Sequence, residues 1–129
     1  MIRPVCVALA LASLSGCAAT PSGSATAQAS DPRQCFSSRN VSSYAQQDDR
    51  TVNIRVGAGA FYQLGLLTDC PDITFSRGIA FSSRTDFVCS GIDVTLIVPE
   101  ALGPRRCLVR TVRRLSPEEA DALPRGAKP

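Results

Sequence analysis

The 129-residue chain contains no histidine. That absence removes the usual general base near neutral pH and with it the Ser-His and Cys-His nucleophile arrangements. It also weakens any zinc reading, since the cysteines are widely spaced with no close C-x-x-C pair to compensate. There is no G-x-S-x-G elbow and no phosphate-binding loop; Gly57-Ala58-Gly59 reads as a turn with no helix behind it to cradle phosphate. Strong charge of one sign is also lacking. The formal net charge is +3, and removal of Arg3 with a leader leaves about +2, too small a bias to argue for nucleic acid. Neither a cofactor nor a metal is expected, and no catalytic residue is assigned. Only one apolar run stands out, Val5 to Leu14, about half of the ~20 residues that a spanning helix needs.

That run has the layout of an export signal: Arg3 before it, small residues Ser15 and Gly16 after it. Two cleavage sites compete. Ala25-Thr26-Ala27 fits the small-x-small rule but lies well beyond the apolar run. Leu14-Ser15-Gly16-Cys17 is closer, and resembles the lipobox of bacterial lipoproteins, in which the cysteine receives a diacylglycerol and becomes the new amino terminus. The resemblance implies a signal peptide over 1–16, lipidation of Cys17, and attachment to a membrane through that anchor. Several acyl chains on one residue bind a bilayer stably where one alone is marginal. Ala18 after the cysteine implies, by the convention of that family, the outer membrane, with the folded part facing the periplasm.

With Cys6 lost in the leader and Cys17 acylated, four cysteines remain: Cys35, Cys70, Cys89 and Cys107. An even number in an oxidising compartment reads as two disulfides. Four cysteines allow three pairings, and the nested one is expected, Cys35–Cys107 with Cys70–Cys89. It would join the first strand to the last and close a middle loop of about 20 residues.

Residues 17–33 are small and polar after the cysteine and read as a flexible linker. Beyond them the period of two dominates. Val52, Ile54 and Val56 alternate with polar residues in "TVNIRV", and Tyr62, Leu64 and Leu66 share a face of "AFYQLGL". "NVSSYAQ" is a weaker strand that turns at Asp48-Asp49. "GIAFSS" and "DFVC" are short, "DVTLIV" is apolar on both faces toward its end and therefore central, and "RCLVRTVRRL" is the last. The expected fold is all-β, a small disulfide-bonded sandwich or partly open barrel of six to seven strands over 34–123. A short C-terminal helix follows, opened by a Ser116, Pro117, Glu119 capping box and docked through Leu115 and Leu123; 124–129 is expected to be a disordered tail.

The one local charge bias lies along the last strand. Arg106, Arg110 and Arg114 form a candidate anion or partner patch, with Arg110 and Arg114 on one face and Arg113 opposite. A solvated edge explains the same residues. Asp69 and Asp72 around Cys70-Pro71 read as a solvated turn, with a cation site as the alternative. Tyr44, Phe61, Tyr62 and Phe75 are expected in the core.

In order, "CFSSRNV", "DDRTVNIRVG", "YQLGLLTDCPDI", "VCSG-D" and "RRCLVRTVRRLSPEE" resemble a family of small exported proteins of Gram-negative bacteria that is classed as a domain of unknown function. The resemblance covers about residues 34–120 and implies an envelope protein with paired cysteines and no assigned activity. The expected function is therefore a non-catalytic binding or structural module of the envelope, with an envelope protein or glycan as partner. An inhibitor of a cell-wall hydrolase is the alternative, though a basic domain is a poor match for a basic hydrolase. An aspartate-based enzyme comes third, and would require two carboxylates converging in a cleft.

Overall fold

The computed structural model describes residues 34–91 and 93–129. Eight strands run in the order β1 (Cys35–Ser37), β2 (Val41–Asp48), β3 (Thr51–Val56), β4 (Ala60–Leu66), β5 (Ala80–Ser82), β6 (Phe87–Cys89), β7 (Val94–Val98) and β8 (Arg105–Leu115), followed by one short helix, α1 (Pro117–Asp121). Six of them form an antiparallel sheet ordered β2-β3-β4-β8-β7-β5, and β1 pairs with β6 in a separate two-stranded ribbon. The large sheet curls into a half-barrel, the partly open of the two architectures expected. The leader, Cys17 and the linker lie outside the described residues.

Alternation explains the curl. Val52 and Ile54 on β3, Leu64 and Leu66 on β4, Val94, Leu96 and Val98 on β7, and Cys107, Val109 and Val112 on β8 all point to the concave side and are buried. The ribbon plugs that concavity: Phe36 and Val88 are 3% and 0% exposed, and the Phe36 ring lies 5.0 Å from Tyr62 and 5.8 Å from Phe81. The segment after β4 supplies Cys70 and Ile73, both fully buried. Tight turns set the registers. The Arg50 N–H donates to Asp48 Oδ1 at 2.8 Å between β2 and β3, and Gly57 takes φ 60° between β3 and β4, where a side chain would be strained.

β7 is an interior strand, as expected, with β8 on one side and the three-residue edge strand β5 on the other, although β4 and β8 occupy the middle of the sheet. The apolar residue read as a second buried face, Ile97, is half-buried on the convex side. The C-terminal residues are not disordered: Arg125–Ala127 form a 3-10 turn against β2, and Ala127 is buried. Asn53, the one buried polar side chain among the described residues, explains the docking. Its amide donates to the Ala127 carbonyl at 2.8 Å, and burying it without such a partner would be costly.

Candidate functional site

A six-stranded sheet that stops short of closure leaves two edges, and in this domain they face each other. Strands β2 and β5 flank an open groove of about 430 Å³ lined by Ser38, Arg39, Val41, Ser43, Ile79 and Phe81, among others. The lower half of β2 is already occupied. The Gln46 N–H donates to Thr74 Oγ1 at 3.3 Å, Gln46 Oε1 accepts from the Ile73 N–H at 2.9 Å, and Tyr44 Oη donates to the Ser76 carbonyl at 2.9 Å. Those bonds pin the segment after Cys70 across the bottom of the seam and leave its upper part open. Val41, Tyr44, Ile79 and Phe81 pack against the core and form the apolar floor, while serines and Arg39, paired to Asp86 at 2.8 Å, form the rim. Because every neighbour in the sheet is antiparallel, β2 and β5 run antiparallel across the gap.

The disulfides are Cys35–Cys89 and Cys70–Cys107, not the nested pairing. Cys35 cannot reach β8 as its strand partner, because β1 pairs with β6 and places Cys35 directly opposite Cys89. Cys70 is left beside β8, where it meets Cys107 in the core; Cys35 and Cys89 are only half-buried.

The arginine patch is also rearranged. On β8, Val109 pairs with Leu66 while Thr111 pairs with Gly65, so a bulge at Arg110 inserts one extra residue. Parity inverts there. Arg106 and Arg110 lie on the convex face, Arg113 joins them on that face beyond the bulge, and Arg114 pairs opposite Tyr62 on the concave side. Arg110 and Arg114 therefore do not share a face. Gly65 marks the same irregularity, because a Cβ there would run into the Thr111 hydroxyl. The acidic positions disperse as well: Asp69 is bound by Arg50, and Asp72 occupies a left-handed turn at φ 62°. Of the four aromatics expected in the core, Tyr62 is buried and Tyr44 and Phe61 are half-buried, but Phe75 is 85% exposed on its turn.

A model of a protein family matches residues 1–128. The chain belongs to DUF6491, a family of unknown function. Searches of curated proteins and of solved structures give no match. The DUF6491 match is wider than the resemblance read from the motifs and takes in the residues before Gln34.

The displaced titrations of this DUF6491 domain lie at ion pairs away from the seam. The Asp69 carboxylate, bonded to Arg50, raises that guanidinium further. Glu119 is held below the usual carboxylate range, first by the Ser116 backbone N–H at 2.8 Å and then by Arg113 at 2.6 Å. It completes the capping box expected for α1, whose other half is the Glu119 N–H donating to Ser116 Oγ at 3.2 Å. From Arg113 the chain of bonds continues through Gln63 to Asn53, tying β8, β4 and β3 under the C-terminal turn.

Replacing Ser116 by alanine is expected to cost about 1 kcal/mol in thermal or urea unfolding. The Glu119 bonds strengthen the ionised form, so their stabilisation is present above the unfolded pKa of about 4.3 and is lost as the pH falls through the lower folded value. Glu119→Gln is expected to flatten that acid limb of a midpoint-versus-pH curve. An acid limb unchanged by the substitution would assign the acid sensitivity to other carboxylates.

The seam residues escaped the sequence reading, although a signal existed. The strands that look weakest, serine-rich "NVSSYAQ" and three-residue β5, are the two edges.

Proposed function

We propose that the chain is a non-catalytic binding module of the Gram-negative cell envelope, held at the outer membrane by acylated Cys17 with its β domain in the periplasm. The seam between β2 and β5 carries the binding part of this reading. It combines an apolar floor, a hydroxyl-lined rim and strand edges with backbone groups to spare. Since its walls are antiparallel, an extended ligand pairs in antiparallel fashion with only one of them at a time. Leu14-Ser15-Gly16-Cys17 after the apolar run supports the anchor, and two disulfides suit an oxidising compartment.

Two measurements test the reading separately. In cells, the wild-type chain is expected to remain with outer membranes through a high-salt wash and Cys17→Ser to be released; retention of the variant would remove the anchor. A photo-crosslinking residue at Ser43, in the seam, is expected to give a discrete adduct that the same group at Ala122 does not. An adduct with a cell-wall hydrolase would assign the inhibitor class, and equal labelling from both positions would remove the seam as the site.

A further inference from the structure

Among the described residues, the convex face of the half-barrel is covered on one side only. α1 packs on β8 near Leu115, the last turn lies against β2, and between them the polar chain through Asn53 and Gln63 is roofed. Among the described residues, none gives such cover to the convex face of β7 and the first half of β8. There, Arg106, Leu108 and Arg110 alternate outward along β8, with Ile97 and Thr95 beside them on β7. Leu102, in the loop that leads into β8, is fully exposed, and Leu108 is 48% exposed.

The charges on this face have the right form for phosphate. Glu100, in the loop between β7 and β8, is paired to Arg105 at 2.5 Å, and Arg105 also donates to the Pro71 carbonyl, so this pair is turned away from the face. Among the described residues, Arg106 and Arg110 form no ion pair; Asp93 directly precedes Val94, the register partner of Val109. Guanidinium groups bind phosphate oxygens in a bidentate manner, and exposed leucines between them match the boundary between headgroups and acyl chains.

The route of the chain supports the same orientation. The Gln34 side chain accepts from the Arg114 N–H, so the N-terminal segment meets the domain near the far end of β8. β8 spans about 36 Å by the usual rise per residue. A domain held through that end can lie with β8 along a flat surface, with the bare face down.

We infer that this face, centred on Arg106, Leu108 and Arg110 with Leu102 at its margin, docks on the surface of an anionic phospholipid bilayer. The orientation argument rests on the anchor proposed above; the arginine–leucine surface does not. Docking adds a fixed orientation to an otherwise loose tether and turns the seam, which opens at the β2 and β5 edges, to a set direction relative to the membrane.

The test uses the full chain carrying Cys17→Ser, so that no acyl chain contributes, and measures flotation with phosphatidylglycerol–phosphatidylethanolamine vesicles. Binding is expected to exceed that to phosphatidylcholine vesicles and to fall with added salt. Arg106→Gln with Arg110→Gln is expected to weaken it roughly thirtyfold. Leu102→Ser with Leu108→Ser is expected to weaken it about tenfold, with thermal unfolding little changed because both side chains are exposed. Arg114→Gln with Arg125→Gln removes the same charge away from this face and is expected to leave most binding intact. Equal losses from the two arginine pairs, or no preference for anionic lipid, would overturn the docking face. So would binding of the wild-type face to a soluble acidic protein but not to vesicles. The high-salt wash of Cys17→Ser described above reads the anchor alone, so the two ideas fail separately.

Discussion

Replacing Cys70 and Cys107 together by alanine is expected to lower the melting temperature by roughly 10–25 °C. Removing a native disulfide from a small domain costs about 2–4 kcal/mol, and a domain of this size loses about 4–8 °C per kcal/mol. Chain entropy alone would rank the other bridge slightly higher. Cys35–Cys89 closes a separation of 54 residues against 37 for Cys70–Cys107, a difference of about 0.3 kcal/mol. Burial reverses the order. Cys70 and Cys107 are 0% and 1% exposed and sit among Leu66, Ile73 and Val109 in one apolar cluster, so their removal also leaves a void. Cys35→Ala with Cys89→Ala is therefore expected to cost less. Paired calorimetric scans of the two double variants decide it, and an equal or larger loss from the Cys35–Cys89 pair would remove the packing argument. Partial reduction followed by peptide mapping should also open Cys35–Cys89 first, because those two residues are half-buried while Cys70 and Cys107 are buried.

Leu64→Ala is expected to cost about 2–5 kcal/mol, comparable with the net stability of a domain this small. Leu64 is fully buried on β4, with Val52 as its register partner on β3 and Val112 on β8. All three point to the concave side, and both neighbouring strands are fixed in position by the sheet, so the cavity cannot collapse cheaply. Leu108→Ala is the matched comparison. It removes the same atoms from the convex face, where Leu108 is 48% exposed, and is expected to change stability by no more than about 0.5 kcal/mol. Urea unfolding of the pair measures the difference between a filled concavity and a bare face. Equal effects would mean that the sheet is not curled as described.

Local pattern carried much of the fold into view before the structure. The bounds of β3 and β4 follow from "TVNIRV" and "AFYQLGL", because strict alternation beside a glycine turn leaves little freedom of register. The capping box at Ser116 and Glu119 was readable for the same reason: it is a relation between near neighbours. What depends on distant neighbours was not readable. The disulfide partners follow from β1 pairing with β6, a fact of topology that no spacing of four cysteines encodes. The face of Arg114 follows from the bulge at Arg110, which is set by where Gly65 meets Thr111 across two strands. Phe75 and Ile97 look like core residues by type, and only the position of the covering elements leaves them exposed or half-exposed. The docked C-terminal turn depends on the amide of Asn53, which reads as one more outward polar residue of an alternating strand.

The Cys35–Cys89 bridge also governs how the domain carries tension. A pull on the segment before Gln34 enters the fold at β1, a three-residue strand joined laterally only to β6. Hydrogen bonds in so short a ribbon would open one after another, like a zipper, under a modest force. The covalent crosslink stands at the first residue of that strand, opposite the last residue of β6. Force is therefore diverted at the point of entry into Cys89 and on toward β7, and β1 is never peeled. Phe36, one residue further in, stays seated among Tyr62 and Phe81 while the chain ahead of it is stretched.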